Sequence, residues 1–280
     1  MIFEHEIPEG SKLYFGEAAR RKREIEQIAS DVLYTDGFEE IVVPLFSYHQ
    51  HESVSDAKEL IRLGDRDNHK MSLRADTTID VVRIISKRLG RNTDHRKWFY
   101  IQPVYRYPSN EQYQVGAEII GESDLSIALE RCLEIFARLE TKPLLQISNI
   151  NIPKILSAML DIPMDDFRHI RIEKLLAKGI DWLTQLVYLQ DPAEIDALMP
   201  TVPEAIRDEL QKMKELCQSI PYENTVVAPL YYAKMLYYDE LFFRVIEGND
   251  VYARGGRYKN EDVTSVGFAI YTDVLLEAGV

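Results

Sequence analysis

KWFYIQPVYRYPSNEQYQVGAEIIGE, residues 97–122, carries two apolar runs, 98–105 and 115–120, around a tip of Pro, Ser, Asn, Glu and Gln. That is the pattern of a long β-hairpin. Arg106 stands at its mouth, and Gln114 and Glu118 lie on the returning strand. Successive strand side chains point to opposite faces, so Gln114, Gly116 and Glu118 share one face and Val115, Ala117 and Ile119 the other. Two polar groups then flank a glycine that leaves room between them. Such a face is either a binding floor or a solvated sheet surface.

Upstream of the hairpin, Ile25, Ile28, Ala29, Val32 and Leu33 recur at helical spacing, which predicts a helix over 17–34 ended by Asp36-Gly37. Residues 38–43 read as a strand running into Pro44, which suits a strand end or sheet edge. Short strands are expected at 60–63 and 70–73, either side of the turn-forming run 64–68. Leu73-Arg74-Ala75-Asp76-Thr77-Thr78 then leads into a helix marked by Ile79, Val82, Ile85 and Leu89. Asp76 or Thr77 fits as its N-cap, and a carboxylate at such a strand-to-helix junction equally suits a cationic ligand.

Downstream, Ser123 or Asp124 caps a helix with Leu125, Ala128, Leu129, Cys132, Leu133, Phe136 and Leu139 on one face, and 144–148 reads as a strand. Residues 150–221 are helical and punctuated by prolines, and are read as an insertion that divides a sheet domain into 1–149 and 222–280. Strand character returns at 225–228, 241–246, 251–254 and 263–270, with Gly255-Gly256 allowing close backbone approach or a bulge, and 272–278 as a closing helix. Without a regular βαβ rhythm, the fold class is α+β: a mainly antiparallel mixed sheet flanked by helices.

Composition narrows the function. A chain of 280 residues with 46% hydrophobic and 28% charged residues buries a core without staples. Its formal charge of −13 argues against gripping a phosphate backbone. The two cysteines, Cys132 and Cys217, are far apart, so neither a disulfide framework nor a zinc site is indicated, and a reducing cytoplasm is the expected compartment. No leader-like start or membrane-length apolar run is present, and phosphate-loop, dinucleotide, HExxH and GxSxG motifs are missing. His49 and His51 would share a strand face, but a metal needs further ligands.

Five segments in order resemble class II aminoacyl-tRNA synthetase cores of the histidyl-tRNA synthetase lineage, over 8–146 and 226–276. Gly37-Phe38-Glu39-Glu40-Ile41-Val42-Val43-Pro44 resembles motif 1, whose proline ends a strand at the dimer interface. Arg106 matches the motif 2 arginine, and Gly116-Ala117-Glu118-Ile119-Ile120-Gly121 the GxExxG after its loop. Leu73 to Thr78 resembles the LRPE/DxT segment, and Tyr237-Tyr238 and Gly255-Gly256-Arg257-Tyr258 resemble the histidine-specific YYTG and GGRYD segments.

The departures redirect the expectation. Arg106 is followed by Tyr107-Pro108 and a shortened loop, where synthetases carry Arg-x-Glu and a long basic one. The motif 3 arginine that should clamp ATP falls on Val274, and the histidine-specific arginine falls on Ala233. Tyr237-Tyr238 is followed by Asp239-Glu240 instead of Thr-Gly, and Arg244 stands where a glutamate is usual. Charge stabilisation is a large part of adenylyl transfer, so these losses imply no synthetase activity. The sequence ends 22 residues after Tyr258, which leaves no anticodon-binding domain in the resemblance.

This combination resembles the regulatory subunits of ATP phosphoribosyltransferase. The resemblance implies a non-catalytic subunit that activates a short-form catalytic partner and contributes to histidine feedback in the first step of L-histidine biosynthesis. It further implies self-association through the motif 1 region within a hetero-octamer, no cofactor, no metal, no membrane, and no nucleic acid. L-Histidine would occupy the relic amino-acid pocket, with Asp76 meeting the α-amino group, Thr78 supporting it and Gln114 and Glu118 lining the floor. Arg106 belongs to the same set, and Tyr238 with Tyr237 would wall the imidazole. The alternatives are a stand-alone class II ligase and a tRNA-binding sensor.

Overall fold

Helix α1 spans Gly16–Thr35, buries Ile25, Ala29, Val32 and Leu33, and gives way to Gly37, whose φ of +79° is readily adopted only without a Cβ. The chain is described by a computed structural model covering residues 6–52, 54, 56–90, 93–232, 238–260 and 262–280. The strand expected at 38–43 is shorter than its apolar pattern suggests, with only β1 (Glu39–Glu40) in the ladder. Beyond it the Val43 amide donates to the Gln102 side chain at 3.0 Å, and Pro44 follows with no amide to offer.

Strands β2 (Phe46–Ser47), β3 (Arg62–Gly64) and β4 (Lys70–Leu73) form a small antiparallel sheet in the order β2-β4-β3. His49 and His51 are not on a strand: a 3₁₀ turn, Gln50–Glu52, takes over there. Helix α2 (Thr77–Ile84) is capped by Asp76, whose carboxylate accepts from the Ile79 amide at 3.2 Å, and it loosens into a wider π turn at Ile85–Leu89. The hairpin forms as β5 (Lys97–Arg106) and β6 (Asn110–Ile120), in register from Lys97 opposite Ile119 to Arg106 opposite Asn110.

Helix α3 (Leu125–Arg138) takes Asp124 as its cap, and β7 (Leu144–Asn149) follows. Helices α4 (Asn151–Leu160), α5 (Met164–Arg168), α6 (Ile172–Leu176), α7 (Asp181–Tyr188), α8 (Ile195–Leu198) and α9 (Glu204–Ser219) lead to β8 (Thr225–Val227). Strands β9 (Tyr238–Glu247), β10 (Asp250–Asn260) and β11 (Val263–Tyr271) and helix α10 (Thr272–Glu277) complete the chain. Strands β9 and β10 run well beyond their apolar runs, β9 from Tyr238 and β10 through Gly255-Gly256-Arg257-Tyr258 to Asn260, while β11 gains only Tyr271.

The large sheet has the order β1-β5-β6-β11-β10-β9-β7-β8, parallel only at β1-β5 and β7-β8. Its register shifts between Gly256 and Tyr258, which is the irregularity the glycine pair allows. Val115, Ala117, Ile119, Phe243, Val245, Val266 and Phe268 build the main core against α1 and α3. Ile152, Leu156, Ile206, Leu210 and Met213 of the helical segment belong to that same apolar cluster. Such burial is worth about 1.5–3 kcal/mol per large side chain. The opposite face is only partly covered: Val81, Val82 and Ile85 pack on Trp98, Tyr100, Tyr238, Phe242 and Tyr258. The uncovered remainder of that face is the cavity described next.

Candidate functional site

Pairing fixes a lattice of side chains on the open face. One row across the sheet reads Tyr100, Gly116, Ala269, Arg254, Arg244 and Gln146, and the next, two residues along, reads Trp98, Glu118, Gly267, Gly256, Phe242 and Ser148. Small residues at the centre and large ones around them leave a cavity of about 600 Å³. Its lining includes Asp76, Thr77, Thr78, Arg106, Gln114, Glu118, Tyr238 and Arg254. Six of the seven residues predicted for the site, Asp76, Thr78, Arg106, Gln114, Glu118 and Tyr238, thus converge on one space, and the seventh, Tyr237, lies outside the described residues.

Asp76 enters from the junction of β4 and α2, where it caps the helix and also lines the cavity. Its backbone is held by Gln50, a residue the sequence did not single out. The Gln50 side-chain oxygen accepts from the Ala75 and Asp76 amides at 2.8 and 2.7 Å, and its amide donates to the Asp76 carbonyl and to Asp80 at 2.9 and 2.8 Å. Gln50 is wholly buried between the two histidines that had drawn attention. Asp80 also accepts from the Ser47 hydroxyl at 2.8 Å, and burial with the nearby Asp76 charge pushes its carboxyl up to about 6.

Glu118 is 1% exposed, with Oε2 accepting from the Tyr258 hydroxyl at 2.7 Å and Oε1 buried without a hydrogen-bond partner. Burial, reinforced by the Asp76 charge and opposed by hydrogen bonds from Thr78 and Tyr258, pushes its carboxyl up to about 8. The space expected above Gly116 is filled by Tyr100: a Cβ at 116 would lie 2.1 Å from that ring. Gly256 and Gly267 are closed in the same way, since a Cβ would lie 2.6 Å from the Tyr238 ring at 256 and 2.0 Å from Glu118 Oε2 at 267; Tyr238 stacks on Phe242 with centroids 5.7 Å apart. Gln114 donates to Thr77 Oγ1 at 3.2 Å. Arg106 pairs with Glu59 at 2.6 Å and leans 3.5 Å from the Ala75 carbonyl, at the rim. Val274 lies on the cavity wall, and Ala233 is outside the described residues.

These titrations have a sign. Both Glu118 and Asp80 hold protons in the fold to higher pH than they do unfolded, so between about pH 5 and 8 the native chain binds more protons and stability falls as pH rises. Glu118→Gln keeps a neutral group there, so we expect denaturant melts to show the variant gaining on the wild type steadily from pH 5 to 8. A parallel pair of curves would contradict this.

The arrangement favours a small ligand bearing a positive group. A cation lying between Asp76 and Glu118 restores the ionised form of Glu118, and the tyrosines supply a flat apolar wall. Asp65, Asp67 and His69 also gather ligand atoms within 4.8 Å of one another, at the β3–β4 turn, but Tyr48 and the turn amides already use Asp65. Among the described residues no helix is long and apolar enough to cross a membrane.

Comparison with known proteins supplies the context. The histidyl-tRNA synthetase family model matches residues 14–275. An ATP phosphoribosyltransferase regulatory subunit from Wolinella succinogenes is 46% identical over 277 residues, covering 99% of this chain and 96% of the relative. One from Helicobacter hepaticus is 39% identical with 99% of both chains covered. A solved structure described as an ATP phosphoribosyltransferase regulatory subunit/histidyl-tRNA synthetase from Bacillus halodurans superposes with a TM-score of 0.85 at 20% identity, covering 99% of this chain and 84% of that one. A histidine–tRNA ligase subunit from Alicyclobacillus acidocaldarius gives 0.80 at 21% identity, covering 100% and 99%. These two share the fold.

Proposed function

The chain belongs to the ATP phosphoribosyltransferase regulatory subunit family, on a histidyl-tRNA synthetase-like core, and from that premise we propose that it regulates a catalytic partner through L-histidine held in this pocket. It acts as a non-catalytic subunit in the first step of L-histidine biosynthesis. The observation that carries the reading is the cavity itself, which brings two buried carboxylates, Asp76 and Glu118, to a tyrosine-walled space of amino-acid size. Asp76 takes the α-amino group, Thr78 and Gln114 fix its surroundings, and Glu118 with Tyr238 and Tyr237 receives the imidazole. Arg106 closes the rim with its charge balanced by Glu59.

The same geometry supports the loss of ligase chemistry. Adenylyl transfer needs cations placed on the phosphates. Here Val274 offers none, and Arg106 is engaged by a carboxylate. The phosphoribosyl transfer then takes place on a short-form catalytic subunit, within a hetero-octamer whose synthetase-like dimers meet through the motif 1 strand. We read 150–221 as an insertion into the core formed by 1–149 and 222–280. Coupling requires that histidine bind the two states of the assembly unequally.

Calorimetric titration of the chain with L-histidine, alone and assembled with its catalytic partner, tests the reading. Saturable heat is expected in at least the assembled state, together with inhibition of the partner over the same concentration range. Absence of heat in both states sinks it. Amino-acid-dependent exchange of pyrophosphate into ATP would favour the ligase alternative.

A further inference from the structure

Two arginines face each other on the cavity side of the sheet: Arg254 on β10 is the direct cross-strand partner of Arg244 on β9. Side chains so placed have Cβ atoms about 5 Å apart, and like charges in that relation destabilise a sheet. Both are half-buried, in a site whose neighbours on the same row are Ala269 on one side and Gln146 on the other. Arg244 is met by neutral groups: it donates to Gln146 Oε1 at 2.6 Å and lies 3.8 Å from the Tyr231 ring centroid, with its Nε buried and without a hydrogen-bond partner. Arg254 lines the cavity, 5.9 Å from the Tyr271 ring centroid. Burial first, and the Arg254 charge with it, hold the Arg244 guanidinium below its ordinary value.

The cavity is therefore polarised. Asp76 makes one part of it negative, joined by Glu118 when a cation lies beside it, and Arg254, two strands across and two residues along from Glu118 or roughly 12 Å away, makes another part positive. Ala269 and Gly267 on the strand between them present no bulk that would separate the two parts. A zwitterion spans such a field with both ends matched.

We propose that Arg254, supported from behind by Arg244, binds the carboxylate of the pocket's amino-acid ligand. The proposal rests on the amino-acid reading of the site and adds a residue to it. It gives the paired arginines a use that their mutual repulsion otherwise opposes. The planar guanidinium offers two parallel donors to a carboxylate, which a neutral or single-point donor does not.

The test uses the chain assembled with its catalytic partner and two probes, L-histidine and histamine, the second keeping the amine and imidazole but lacking the carboxylate. Wild type should bind histidine at least 10-fold more tightly than histamine. Arg254→Gln should weaken histidine binding by about 10- to 100-fold, the range of a charge-assisted hydrogen bond, and leave histamine binding unchanged. A merely structural arginine would weaken both equally; here the loss should fall on histidine alone. Histidine binding unaffected by Arg254→Gln, or weakened no more than histamine binding, overturns the assignment and leaves the amino-acid site standing. Wild type binding neither probe overturns both. If Arg254→Gln does not fold, Arg254→Lys decides: a reduced preference for histidine over histamine supports the proposal, and an unchanged preference overturns it.

Discussion

Replacing Asp76 with alanine should lower the affinity of the assembled chain for L-histidine by 100-fold or more, and replacing it with asparagine by nearly as much. The two substitutions separate the two jobs of this side chain. As a cap, Asp76 satisfies the Ile79 amide at the start of α2, and asparagine does this as well as aspartate, whereas alanine costs about 1 kcal/mol of helix stability. As a ligand group, it supplies a negative charge to an ammonium in a site where water is largely excluded, and asparagine cannot. Removing one partner of a buried hydrogen-bonded charge pair costs about 3–5 kcal/mol, because the other partner is left uncompensated. Calorimetry reads the affinity and thermal melting reads the cap. Affinity lost only in the alanine variant would mean that the cap, and not the charge, is what the site needs.

Much of this site was legible because its residues sit where local rules converge. Asp76 stands out as a carboxylate at a strand-to-helix junction that suits an N-cap or a cationic ligand equally and falls in the LRPE/DxT-like segment, and Gln114 and Glu118 stand out since they share a strand face with a glycine. Strand alternation is local, so it survives without any knowledge of the fold. What sequence could not show was which space the glycine opens. Gly116 is required by the Tyr100 ring from the neighbouring strand, and Gly256 and Gly267 likewise make way for Tyr238 and Glu118, residues brought to them only by the pairing of β6, β9, β10 and β11.

The same limit explains Gln50 and Arg254. Gln50 sits in a polar run whose histidines are more conspicuous, and its use depends on a contact 26 residues away in sequence. Arg254 carries no local signal at all: its meaning comes from facing Arg244 across one pair of strands and the acidic wall across two more. The shortened 38–43 strand is a milder case. Its apolar pattern was right about burial, since Phe38, Ile41 and Val43 are buried, but Gln102 replaced the backbone partner that a ladder would have used.

Gly267→Ala should destabilise the chain strongly for the addition of a single methyl group. A Cβ at 267 would lie 2.0 Å from Glu118 Oε2, 2.6 Å from the Ala117 carbonyl oxygen and 2.8 Å from Glu118 Cδ. Rotating a flexible acid would relieve the first contact alone, but Glu118 is fully enclosed and tied to Tyr258, and the second contact is with backbone in the centre of the sheet. Overpacking of this kind costs about 1–3 kcal/mol where side chains can shift, and here a backbone must shift as well. We expect a loss of about 3 kcal/mol and, for a chain of this size, a fall in melting temperature of roughly 5–10 °C. Histidine binding should fall with it, since the displaced carboxylate is the one proposed to meet the ligand. Glu118→Gly in the same background tests the cause: deleting the side chain that the methyl strikes should recover part of the lost stability, whereas strictly additive losses would place the strain entirely in the Ala117 backbone.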